Sequence, residues 1–326
     1  MATEFEEPSS RNIPLPIKRE VRQRCGFGCV LCGVPVYEYE HMDGWASVRR
    51  HEADQITLLC AQHHAERTKG LLTIQQVRQA SKDPFNLRHG KSPAYQMHFA
   101  GGSCLVDIGS NRFSTTFAGD GRSMTALMID DVPLIGFSLD SGQLLLNMLV
   151  YNESNERVLE IVESQLVYTG DGVWDVEFVG QTLTIREGLG DFLLEVTFQP
   201  PNRIAIGRSR IVFDGVECLV RPQYLLVVNN CSLISHTQGV GLDCGIAIDS
   251  PSYVGGVCFA IGGVPRYPFG SYDVEKRKAA IEWAESSIQS ASILAAPRRA
   301  VVPPISTPGL EALARAAVAQ WRSQNS

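Results

Sequence analysis

Between Cys29 and His64 the chain concentrates the residue types that do chemistry. Cys29-Val-Leu-Cys32 is matched further on by Cys60-Ala-Gln-His63. Two donors spaced this way on a tight turn point at one centre, and Gly26, Gly28 and Gly33 permit such a turn. Two such pairs supply three thiolates and one imidazole, the donor set of a tetrahedral structural zinc site. A redox pair of cysteines would have no use for the second pair. The chain has nine cysteines, an odd count. Cys104, Cys218, Cys231, Cys244 and Cys258 are scattered, mostly among apolar neighbours, and read as small buried hydrophobes rather than a disulfide framework.

A zinc ion in that clamp leaves Glu40, His41 and His64 unassigned and close together. The ordered set Cys29-Val-Leu-Cys32, Tyr39-Glu40-His41, Gln55 to Cys60, His63-His64 and Thr68-Lys69 resembles the HNH (His-Me finger, ββα-metal) endonucleases. The resemblance covers about residues 15–75. It implies a metal-dependent cut of a DNA phosphodiester. His41 matches the general base that activates water. Glu40 and His64 match the ligands of a catalytic divalent cation, Mg2+ or Mn2+. Gln55 stands where the family has Asn or His, a residue that orients the base or helps hold the metal.

The residue types suit that reaction. A phosphodiester is anionic, so hydrolysis needs a cation near its oxygens, and one carboxylate plus one imidazole can hold it. A neutral imidazole accepts a proton near pH 7. Arg49, Arg50, Arg67 and Lys69 could hold neighbouring phosphates of DNA, or of RNA. A second reading is a zinc-stapled nucleic-acid-binding or ligand-sensing protein without catalysis. His51 reads as a loop residue, with a ligand or base role as its alternative. His89, His98 and His236 have no partners in sequence.

The elements that must position these residues follow from patterning. The segment 16–25 predicts a short basic helix, 36–41 and 55–59 predict strands, 60–69 a helix start and 71–80 a helix stopped by Asp83-Pro84. From about 100 to 270 the period changes to two, with turn residues between short strands. In the strand around Val176, Trp174 and Phe178 share its face, and Asp175 and Glu177 take the other. Helical composition returns at 272–295, followed by a Pro-rich linker at 296–308 and an Ala/Leu-rich helix at 309–321. The expected fold class is α+β: a small zinc-stapled ββα-metal domain, a larger antiparallel all-β domain, then C-terminal helices. The expected boundaries are a flexible tail 1–14, a nuclease domain 15–90, a regulatory or oligomerising β domain 91–271 and a helical end 272–326.

Charge sharpens the picture. The chain of 326 residues has a net charge of −6, which excludes a protein that coats nucleic acid by charge alone. The acidity sits in the middle of the chain. Residues 91–271 hold 10 Lys+Arg against 19 Asp+Glu, whereas residues 1–90 hold 12 against 11. The β domain is therefore expected to stay off the DNA and to serve control, sensing or homo-oligomerisation. Its aspartates fit no calcium loop, and its Gly-rich segments lack the setting of a dinucleotide site. No apolar run has membrane-spanning length and the first residues do not resemble a secretory signal, so cytoplasmic residence is the expectation. A small nuclease module joined to a large partner domain would suit a bacterial defence effector, on architecture alone.

Overall fold

Helix α1 spans Leu15–Arg24, with Pro14 just before its first turn and Arg22 and Arg24 in its last. The computed structural model describes residues 12–253 and 255–295. Strand β1 (Glu38–His41) pairs antiparallel with β2 (Ile56–Leu59), in the register Glu38 to Leu59 and His41 to Ile56. The connection between them carries one helical turn, α2 (Trp45–Val48). Helix α3 (Ala61–Thr68) follows β2 directly, with Cys60 as its N-cap. Helix α4 (Ile74–Lys82) opens on a reciprocal capping box between Thr73 and Gln76, and it stops ahead of Pro84. A short helix, α5 (Phe85–His89), forms within the expected connection at 84–100. These elements enclose a small core that includes Val21, Val30, Ile56, Leu58 and Val77.

The period-two segment forms strands from Ser103–Ile108 through Val257–Ile261. Among the described residues they build one sheet of twelve strands, which also takes in Tyr95–Gln96, and one of seven. Their inward residues share one large core, separate from that of the N-terminal elements. The fold is thus mixed α+β and dominated by strands. The expectation of a purely antiparallel β domain needs correction. Arg203–Ile206 runs parallel to Ser103–Ile108, and Gln238–Val240 to Asn111–Thr116. Cys244–Ile248 runs parallel to both Arg122–Ile129 and Val257–Ile261. Alternation fixes which face of a strand is buried but carries no information on its neighbour's direction.

A second departure concerns the strand Asp175–Val179. Alternation assigns Asp175 to solvent, yet it is fully buried. Helix α1 covers that face. Arg22, itself buried, donates from Nε and Nη2 to the two carboxylate oxygens of Asp175 at 2.8 and 2.7 Å. Its Nη1 reaches Glu177 at 2.7 Å and the Tyr39 hydroxyl at 2.8 Å. Arg19 lies over the Trp174 ring, 4.1 Å from its centroid. Phe27, from the loop after α1, joins the core of the β body, where the buried Tyr168 donates its hydroxyl to the Phe27 carbonyl at 2.8 Å. The N-terminal elements are therefore seated on the β body through a paired, desolvated charge cluster.

Helix α6 (Val274–Ala295) agrees with the expected helical segment. The chain divides into two compact units, one through Ile281 and one from Glu282 onward. The expected linker at 296–308, the helix at 309–321 and most of the tail at 1–14 lie outside the described residues. Among the described residues no helix is long and apolar enough to cross a membrane.

Candidate metal centre and the adjoining histidine site

The loop after α1 folds back on itself so that Cys29 and Cys32 face one point. Gly33 accepts the positive φ of +75° this needs, and a Cβ there would lie 2.1 Å from the Asn86 side-chain oxygen. Asn86, buried on α5, donates to the carbonyls of Gly26 at 2.9 Å and Gly33 at 3.0 Å, which holds the loop from outside. The second pair comes from the junction of β2 and α3: Cys60 caps the helix and His63 lies in its first turn.

Cys29, Cys32, Cys60 and His63 bring their ligand atoms within 4.8 Å of one another. His63 Nδ1 is 3.3 Å from Cys29 Sγ and 3.2 Å from Cys60 Sγ, and the sulfurs of Cys32 and Cys60 are 3.8 Å apart. Zinc–sulfur bonds of about 2.3 Å put the edges of a regular tetrahedron at roughly 3.7 Å. The four donors fit that size and could hold a structural metal such as zinc. The Cys29 thiol is pushed down to about 4, first by its hydrogen bond from the Cys32 thiol, against burial, and with help from backbone N–H groups. Cys32, as the donor in that bond, is pushed up. A thiolate held by backbone N–H groups is poised for a cation. Burial has the opposite effect on Cys104 and Cys218, both raised to about 12, as expected for inert core thiols. Cys25 is also buried, against Thr57, and is not one of the four donors. Cys231 departs from the reading of the scattered cysteines as buried, since it is exposed at the end of a tight turn.

Next to this cluster stand the residues expected to do catalysis. Successive residues on a helix are rotated by about 100°, so His63 and His64 turn to different neighbours. His63 faces the thiols, and His64 Nε2 lies 3.1 Å from Glu40 Oε2 on β1. Glu38, two residues earlier, reaches the same imidazole at 3.9 Å. Sequence reading overlooked Glu38, although the i, i+2 spacing along a strand is the signal that would have found it.

His41 ends β1 and is nearly buried. Its Nε2 is 3.1 Å from His51 Nδ1. Trp45 lies beside both rings, stacked on His51 with centroids 4.7 Å apart and 5.1 Å from His41. Gln55 sits in the short turn before β2. Its side-chain amide donates to Asp54 at 3.2 Å, and its backbone carbonyl accepts from Met42 N at 2.9 Å. Arg24 donates from Nη2 to the carbonyls of Ala53 and Ile56 and so props the same turn.

Arg49 and Arg50 are exposed on the loop after α2, where Arg50 pairs with Glu52 at 3.0 Å. Arg67 is half-buried in the last turn of α3, and Lys69 is exposed just after it. An open cleft of about 560 Å³ is lined by Arg24, Asp43, Arg50, Glu52, Gln55 and Arg78, among others. Both cations and carboxylates line it. No family model, curated protein or solved structure matches the chain.

Proposed function

We propose that this chain is a divalent-metal-dependent HNH endonuclease that hydrolyses DNA phosphodiester bonds. The carrying observation is the 3.1 Å approach of His64 to Glu40, with His41 the next residue on β1 and the four zinc-type donors bracketing β2. The order strand, strand, helix from β1 through α3 supports a ββα-metal reading of these elements. His41 takes the proton from a water molecule as its oxygen attacks phosphorus, and the bond to the leaving oxygen breaks. Glu40 and His64 would hold a Mg2+- or Mn2+-class cation, which would supply charge neutralisation at the phosphate oxygens. Arg49, Arg50, Arg67 and Lys69 hold neighbouring phosphates. Cys29, Cys32, Cys60 and His63 would hold a structural zinc, which would tie the loop after α1 to the start of α3 and so steady His64 beside Glu40.

The β body gives this module a rigid seat through Arg22, Asp175 and Tyr168, and we assign it a regulatory or oligomerising role. The test is cleavage of supercoiled plasmid in Mg2+ or Mn2+ by the wild type and by Glu40→Gln. Nicking by the wild type, lost in the variant, is the expected result. Equal nicking by both removes Glu40 from the site. Specific DNA binding with no cleavage under any metal favours the non-catalytic reading.

A further inference from the structure

The loop that crosses from β1 to β2 returns a second imidazole to His41. His51 Nδ1 lies 3.1 Å from His41 Nε2, which is hydrogen-bond distance. The His51 ring is itself fixed. It stacks on Trp45 at an interplanar angle of 18°, and Trp45 also leans against His41. His41 and His51 lie on either side of α2, a turn that opens on Gly44 at a φ of +78° and begins with Trp45. Gln55, the residue expected to orient His41, turns its amide to Asp54.

We propose that His51 is the positioning residue for His41. The inference rests on the reading of His41 as general base. When His51 Nδ1 accepts the proton on His41 Nε2, it fixes the ring plane and selects the tautomer whose Nδ1 carries the basic lone pair. As His41 gains the water's proton, the same bond becomes charge-assisted and strengthens. The stack on Trp45 keeps the His51 ring from rotating away.

Two variants of the full chain separate this role from packing. His51→Phe keeps an aromatic ring against Trp45 and removes the acceptor. His51→Asn places an amide oxygen near the position of Nδ1. On a short DNA duplex, His51→Phe is expected to lower kcat by about 10- to 100-fold, part of the usual contribution of a general base, with KM unchanged. His51→Asn should recover most of that loss. A His51→Phe enzyme cutting at the wild-type rate overturns the inference, and so do equal losses in both variants. If the wild type cuts nothing, the nuclease reading has failed, and nitrogen-15 spectra of the histidine rings still decide the contact. The expected spectrum has His41 as a single Nε2–H tautomer in the wild type and as a mixture in His51→Phe. An unchanged His41 tautomer overturns the proposal.

Discussion

Arg22→Ala tests whether the N-terminal module is locked to the β body by one buried guanidinium. Arg22 is 3% exposed and Asp175 is 0% exposed. Burial alone would weaken the guanidinium's hold on its proton. The hydrogen bond to Asp175, with Tyr39 and Glu177 nearby, more than offsets this and raises its pKa above the ordinary value. Truncation removes two bonds to Asp175, one to Glu177 and one to Tyr39, and it leaves the Asp175 charge in a desolvated site. Breaking such a pair from one side costs about 3–5 kcal/mol. Arg186 still reaches Asp175 at 2.9 Å, so the loss falls at the lower end, about 3 kcal/mol. Equilibrium urea unfolding, followed by far-ultraviolet dichroism and by intrinsic tryptophan fluorescence, reads this directly. Arg22→Lys should not restore the loss, because an ammonium cannot match the carboxylate with two parallel bonds. Arg22→Met combined with Asp175→Leu should restore much of it, since the Asp175 charge is gone and Arg186 keeps Glu177 as its partner. A loss below about 1 kcal/mol for Arg22→Ala, the range of an exposed pair, would refute the reasoning.

Metal analysis of the purified chain should find about one zinc, and the Cys29→Ser/Cys60→Ser variant should lose it along with the order of β2 and α3, read by amide hydrogen exchange. Arg210→Met should destabilise the β body by about 3 kcal/mol, the lower end for breaking a buried pair, because Arg210 is 3% exposed and pairs with the fully buried Glu217 at 2.6 Å while Arg277 still reaches that carboxylate. Urea unfolding checks it. Arg50→Ala should weaken DNA binding almost equally for every sequence and reduce the slope of log K against log salt by about 1, measured by fluorescence anisotropy. His64→Ala should abolish the tighter class of Mn2+ binding in calorimetry while the zinc content stays unchanged.

The site was more legible than its support. Spacing makes Cys29 pair with Cys32 and Cys60 with His63, because short separations on turns leave a donor few directions to point, and the seating of the cysteine loop on β2 joins the two pairs. Glu40 and His64 come within 3.1 Å of each other across β1 and α3. His51 was readable mainly as a loop residue, since it lies ten positions beyond His41, past α2, and no periodicity constrains their approach. Asn86 and Tyr168 carried no signal, although both clamp the cysteine loop. Their partners are backbone carbonyls, which every residue possesses. Asp175 was misread for a related reason: strand alternation distinguishes two faces, but only tertiary packing decides that an acidic face is covered by an arginine of another element. Likewise the parallel pairing of Cys244–Ile248 with Arg122–Ile129 follows from a long return of the chain, which local pattern does not encode.

The central claim is best tested by nicking of supercoiled plasmid with zinc-replete protein in Mn2+, comparing the wild type with His41→Ala. The account expects nicked and linear product from the wild type and at least a 100-fold slower reaction from His41→Ala, the usual scale of a lost general base. Cleavage by His41→Ala at the wild-type rate, or none by the wild type in any divalent metal, would contradict it.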